Sequence, residues 1–364
     1  MRFILLIFAF FFTISFSSAQ KVHPQKEFSL GINYHQGLLV PKNEHINYLI
    51  QDNLSAIEFK LAYHPNPEIN WVQQYAINEV GLSYYQGTLG NSSVLGEFQS
   101  LCPYVQFGIK NWERFQINTN IGLGIAKMSK YFDPINNYAN ILIGSEFNAH
   151  IKLGLQAQYS LSRFNITTGI EFSHFSNGAR KHPNGGLNII TGALGLHYNF
   201  GKNLKFVDKP KTNMKLEDEF TAVWSHGWKQ EDETDPHFYY VSSLNLAYTK
   251  GINSKQRLGG GIDIFYDEGV NRVSYNPNLG TGIKERISQS FFVAHELVIS
   301  RVTFITHIGF YTLYKSKPTS SSMYNRLGLR YKFSKSLLVN LSLKGYLGSS
   351  DFIEMGIGYY FNKK

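Results

Sequence analysis

Hydrophobic and polar residues alternate with a period of two along most of the chain, in runs broken by clusters of Asn, Gly, Pro and Ser. Such alternation makes a β-strand with one apolar and one polar face. The spacing of three to four that marks an amphipathic helix is almost absent. In residues 115–126, Ile117, Thr119, Ile121, Leu123 and Ile125 share one face, and Gln116, Asn118, Asn120, Gly122, Gly124 and Ala126 share the other. The next run sets Ile151, Leu153, Leu155, Ala157, Tyr159 and Leu161 against Lys152, Gly154, Gln156, Gln158 and Ser160. The pattern predicts eight strands over 27–39, 54–64, 73–87, 95–110, 115–130, 148–162, 164–177 and 186–200. A second set of eight is predicted over 219–229, 238–252, 256–269, 287–300, 302–315, 323–333, 337–347 and 351–362.

The fold class expected is all-β, a transmembrane antiparallel β-barrel. A soluble β-sandwich alternates too, so three further features decide the expectation. The chain reads as exported, its strands run to about ten residues or more, and Tyr and Phe crowd toward their ends; the connections also alternate between tight and long, as in outer-membrane barrels. The apolar face then meets lipid and the polar face lines a narrow interior where the glycines lie. The tight turns fall on the periplasmic side, so the seventh strand runs outward and the loop after it faces the exterior. The two sets end alike, Leu194-Gly195-Leu196-His197-Tyr198-Asn199-Phe200 and Met355-Gly356-Ile357-Gly358-Tyr359-Tyr360-Phe361, as an internal duplication would. Two tandem eight-stranded barrels, residues 20–200 and 219–364 joined by a polar linker at 201–218, are expected. One barrel of about sixteen strands is the alternative.

Composition narrows the setting. Met1 and Arg2 precede an apolar run, Phe3 to Ile14, and Ser17-Ser18-Ala19 offers a cleavage site, so residues 1–19 read as a secretory signal peptide. One cysteine in 364 residues, Cys102, excludes a disulfide framework and a Cys-based zinc site. The net charge is +9, from 35 Lys and Arg against 26 Asp and Glu. For an exported chain that surplus suits anionic lipid headgroups better than nucleic acid, but charge alone favours an ordinary solubilising surface over either. No Gly-rich phosphate loop or trustworthy metal-ligand spacing occurs, so no cofactor and no metal are expected.

One constellation carries chemistry. On the seventh predicted strand Phe164, Ile166, Ile170 and Phe172 form the apolar face, and the period of two places His174 and Ser176 on that face at its outward end. Asn188 falls on the apolar face of the eighth strand, with Ile190, Leu194, Leu196, Tyr198 and Phe200. Across an antiparallel hairpin such side chains approach within ~5 Å at Cβ. A hydroxyl, an imidazole and an amide so placed are a nucleophile, a base and an orienting group for attack on an ester. The competing reading makes them polar residues where a strand leaves the bilayer. Glu171 has the wrong parity and points to the lumen. The second set carries Gly345 and Leu347 at the corresponding positions, which predicts a structural or non-catalytic half.

Ser173-His174-Phe175-Ser176-Asn177-Gly178-Ala179, followed by Pro183-Asn184-Gly185-Gly186-Leu187-Asn188, resembles the signature of the lipid A 3-O-deacylase (PagL-type) family of outer-membrane barrels. Asn140 to Asn148, with Ile143-Gly144-Ser145 at its centre, and Tyr34 to Pro41 resemble its acyloxyacyl-hydrolase-like branch. The resemblance covers residues 27–200. It implies a Ser-His-Glu triad on the outer face of an eight-stranded barrel that hydrolyses an acyl ester of lipid A in the outer leaflet of the outer membrane. Carried over, Ser176 is the nucleophile, His174 the base, and Asn177 and Asn184 shape the oxyanion pocket. The family's glutamate falls on Asn188, which orients His174 but stabilises an imidazolium less than a carboxylate does. Arg180, Lys181 and His182, with Lys127 and Lys130, are then placed to meet the phosphates of lipopolysaccharide. A channel or structural barrel is the alternative function.

Overall fold

The computed structural model describes residues 26–41, 44–203, 214–270, 282–313, 322–346 and 348–363. The expected signal peptide lies outside these residues, as do Leu347 and residues 204–213 of the expected linker.

The first barrel is built from β1 (Lys26–Leu39), β2 (Leu54–Tyr63), β3 (Ile77–Thr88), β4 (Glu97–Asn111), β5 (Phe115–Met128), β6 (Phe147–Leu161), β7 (Phe164–Ser176) and β8 (Leu187–Asn203). Each strand pairs antiparallel with the next, and β8 closes on β1 with Ile32 opposite Leu196. The second barrel comprises β9 (Asp218–Lys229), β10 (Tyr239–Gly251), β11 (Gln256–Asp267), β12 (Ile287–Ile299), β13 (Val302–Leu313), β14 (Met323–Lys332), β15 (Leu337–Tyr346) and β16 (Ser349–Lys363). Here β16 closes on β9. Two separate closures exclude the sixteen-stranded alternative.

The third predicted strand began at residue 73, whereas Asn70–Tyr75 is a single helical turn and β3 starts at Ile77. Val72 and Tyr75, three positions apart, are the residues that turn buries, which is helical spacing too short to outweigh the strand pattern after it.

Parity sets the two faces of the wall. Along β7, Ile166 and Ile170 are 44% and 64% exposed while Asn165, Thr167, Glu171 and Ser173 are buried, so the greasy face looks outward. An eight-stranded barrel is just wide enough for side chains to fill, and both lumens are filled. In the first, Lys152 pairs with Glu58 and, at 3.5 Å, with Glu171, while Asn33 donates to Glu58 at 2.8 Å. Buried charges persist only when partnered. Toward the exterior, Leu39, Leu54, Leu89, Leu95, Phe98 and Phe175 belong to an apolar plug over this network. In the second barrel, Arg326 meets Asp263 at 2.7 Å and Glu354 at 2.5 Å, and Arg330 meets Glu296 at 3.3 Å. A polar lumen face here means a packed polar core, which removes the basis for reading it as a water-filled channel.

Candidate active site

The outward end of β7 is held from inside the barrel. Ser173 and Phe175 point inward on either side of His174. The Ser173 hydroxyl lies 3.0 Å from His150 Nε2, and the Phe175 ring stacks on His150 at 4.3 Å and packs against Phe98 at 5.1 Å. With its neighbours anchored in the core, His174 is directed outward. Glu171, as parity required, lies in the lumen on Lys152.

His174 and Asn188 are directly opposed in the β7–β8 ladder. His174 Nδ1 lies 2.7 Å from Asn188 Oδ1, and His174 Nε2 lies 3.1 Å from Ser176 Oγ. All three side chains are half-buried on the lipid-facing side of the wall. An amide oxygen at Nδ1 selects the tautomer protonated there and turns the lone pair of Nε2 toward the hydroxyl. Chemically, an imidazole held in that way can accept a proton from the Ser176 hydroxyl.

The loop beyond Ser176 folds back on itself. Asn177 donates its backbone N–H to Asn184 Oδ1 at 3.2 Å and its side-chain N–H to Ser145 Oγ at 3.0 Å. Ser145 donates in turn to the carbonyl of Phe147 at 2.9 Å, and its own carbonyl accepts from Asn148 Nδ2 at 2.8 Å. Gly178 and Ala179 both have positive φ, 63° and 64°, which tightens the turn immediately after Asn177. Gly186, at φ 73°, passes close beneath the imidazole: a Cβ there would sit 2.9 Å from His174 Cε1. Ser145, Phe175 and Gly186 thus join the site as supports that sequence reasoning had assigned no role.

The basic residues share the outer end. Lys127, on the outward face of β5, lies 3.3 Å from Glu146, and Lys130 donates to the carbonyl of Ser93 at 2.8 Å. Lys127 is opposite Phe147 on β6 and Ser176 is opposite Ala149 on the same strand, so Lys127 stands two strands across and two residues along from Ser176, ~12 Å between backbones at the usual strand spacing and rise. Arg180 is exposed and Lys181 half-buried on the loop following Ser176. Among the described residues no cluster of His, Cys, Asp and Glu is arranged to hold a metal ion.

Residues 57–197 match the family model described as lipid A 3-O-deacylase (PagL). The first barrel is a PagL-family domain. Residues 218–363, the second barrel, match the family model described as acyloxyacyl hydrolase, C-terminal domain. These are outer-membrane families, and the chain is a bacterial outer-membrane protein. Among solved structures, Neisserial surface protein A is 12% identical over 49% of this chain and 100% of its own, with a TM-score of 0.33. The outer membrane enzyme PagL is 15% identical over 45% of this chain and 97% of its own, with a TM-score of 0.30. Likeness at that level carries no argument about the site. No curated protein matches the chain.

Proposed function

We propose that the first barrel is a lipid A deacylase that works from the membrane-facing side of its wall. Ser176 is the nucleophile, His174 the general base and Asn188 the orienting group. The observation that carries this reading is His174 held between Asn188 and Ser176 on the lipid-facing surface, at the end of an outward strand. Lipid A presents its acyl esters at the boundary between sugar and hydrocarbon, and a nucleophile at that depth reaches them without drawing the lipid out of the bilayer.

The reaction runs in two halves. Ser176 Oγ attacks the ester carbonyl while its proton passes to His174 Nε2, giving a tetrahedral oxyanion. Asn184 already spends its side-chain oxygen on the Asn177 backbone, so its contribution to an oxyanion is through the side-chain NH₂. Asn177, pinned to Ser145 and Asn184, shapes the pocket beside Ser176. Collapse breaks the bond to the sugar oxygen, which leaves with the proton from His174. Water, deprotonated by the same imidazole, then releases the fatty acid and restores the hydroxyl. Lys127, Lys130, Arg180 and Lys181 form the basic rim that meets lipid phosphates; Lys127 and Lys130 exchange their present partners to do so.

Purified protein incubated with lipid A tests the reading. Release of free fatty acid by the wild type and not by Ser176→Ala is the expected result, and equal release by both overturns it.

A further inference from the structure

The second barrel carries a polar and aromatic patch on its lipid-facing side. Even positions of β9 and β10 point outward, and in the outer halves of these strands they place Trp224, His226 and Trp228 beside Tyr240 and Ser242. His226 is directly opposite Ser242 and Trp228 opposite Tyr240. His226 stands two rungs above Trp224 and three residues from the end of β9, much as His174 stands two from the end of β7, so the patch lies in the outer leaflet.

Aromatic residues at this depth ordinarily form a belt, with the ring in hydrocarbon and the N–H or O–H reaching the wet headgroups. Trp224 breaks that pattern. Its Nε1–H is donated sideways to Ser242 Oγ at 2.9 Å, while the side chain stays 60% exposed. The ring offers lipid only its carbon faces and edges. The neighbouring groups are fixed in the same way. His226 Nδ1 is hydrogen-bonded to Tyr240 Oη, the imidazole stands at 66° to Trp224 with centroids 4.3 Å apart, and Trp228 meets Tyr240 at 5.9 Å and 61°. The strip continues through Tyr266, 6.1 Å from Tyr240, to Arg286, whose Nη1 donates to Tyr266 Oη at 3.1 Å and which lies 3.8 Å from Glu268.

We infer that this strip is a second lipid site, a platform for a phosphorylated glycolipid of the outer leaflet. A pyranose ring packs its C–H face on a flat, pre-oriented indole, and Trp224 and Trp228 supply two such surfaces. His226 and Ser242 supply hydrogen-bonding edges between them, and Arg286 supplies a cation one ring beyond for the phosphate. A phospholipid with a small flexible headgroup uses the cation but gains nothing from the fixed indoles, so the platform selects the sugar. Hydrolysis by the first barrel is not needed for this site to work.

Native mass spectrometry of the full chain carrying Ser176→Ala, titrated with purified lipid A and separately with phosphatidylethanolamine, reads the site as a stoichiometry. The double variant Trp224→Leu/Trp228→Leu is expected to hold one lipid A fewer than its Ser176→Ala parent, with the lost molecule bound at least about tenfold more weakly. Ser242→Ala, which keeps every aromatic side chain and removes the anchor of Trp224 together with one hydrogen-bonding edge, is expected to weaken the same molecule. Heat-modifiable gel migration verifies that each variant is folded. Unchanged lipid A stoichiometry in both variants, or equal occupancy by phosphatidylethanolamine, overturns the inference. Deacylation, measured separately on chains with Ser176 intact, reports on the first barrel alone.

Discussion

An amide at position 188 separates two tasks that a carboxylate performs together, orienting the imidazole and stabilising its positive charge. Asn188 performs the first, through the 2.7 Å contact to His174 Nδ1. Asn188→Glu should therefore raise the deacylation rate, by about tenfold if the carboxylate recovers part of the electrostatic stabilisation such sites supply. Asn188→Ala should lower it by roughly a hundredfold through loss of the tautomer. Fatty-acid release by the two variants checks both signs, and a fall in both would make residue 188 a steric spacer. Gly186 constrains the same imidazole from below. Its φ of 73° disfavours any side chain, and a Cβ would press on His174 Cε1. Gly186→Ala should cost at least tenfold in turnover, by the sensitivity of such sites to small misplacements, while leaving the heat-modifiable folded band in place. An unfolded variant would instead make Gly186 a determinant of the hairpin.

At the scale of the strand, burial on one face and lipid on the other fixes every side chain of β7 by parity, which is why His174, Ser176 and Glu171 could be assigned to faces from the sequence. The lumen side carries the stability. Lys152 serves Glu58 and Glu171 together, and all three are buried. Lys152→Met should destabilise the first barrel by about 3–5 kcal/mol, the cost of leaving buried charge without its partner. Urea unfolding in detergent measures the shift, and a change under 1 kcal/mol would mean that water or protons replace the lysine. What local pattern could not give was contact between distant segments. Ser145 reaches Asn177 across 32 residues, and nothing in the alternation around either residue predicts the meeting. The turn at Asn70–Tyr75 escaped because six residues carry too little helical periodicity to register against the strand that follows.

For the whole molecule, an even strand count suits one large barrel as well as two small ones, and only the polar linker between the two strand sets favoured two. Ladder pairing of β8 with β1 and of β16 with β9 settles it, and with eight strands each lumen fills with its own side chains. Reconstituted into planar bilayers, the protein should show no porin-like conductance; a stable open channel would contradict the packed interiors. The central claim is that a hydroxyl, an imidazole and an amide on the outside of the first barrel cut lipid A where it lies. Mass spectrometry of lipid A from cells expressing the wild type or Ser176→Ala tests it most directly. The wild type should yield lipid A lighter by one ester-linked acyl chain and Ser176→Ala the intact species; identical acylation in both would contradict the account.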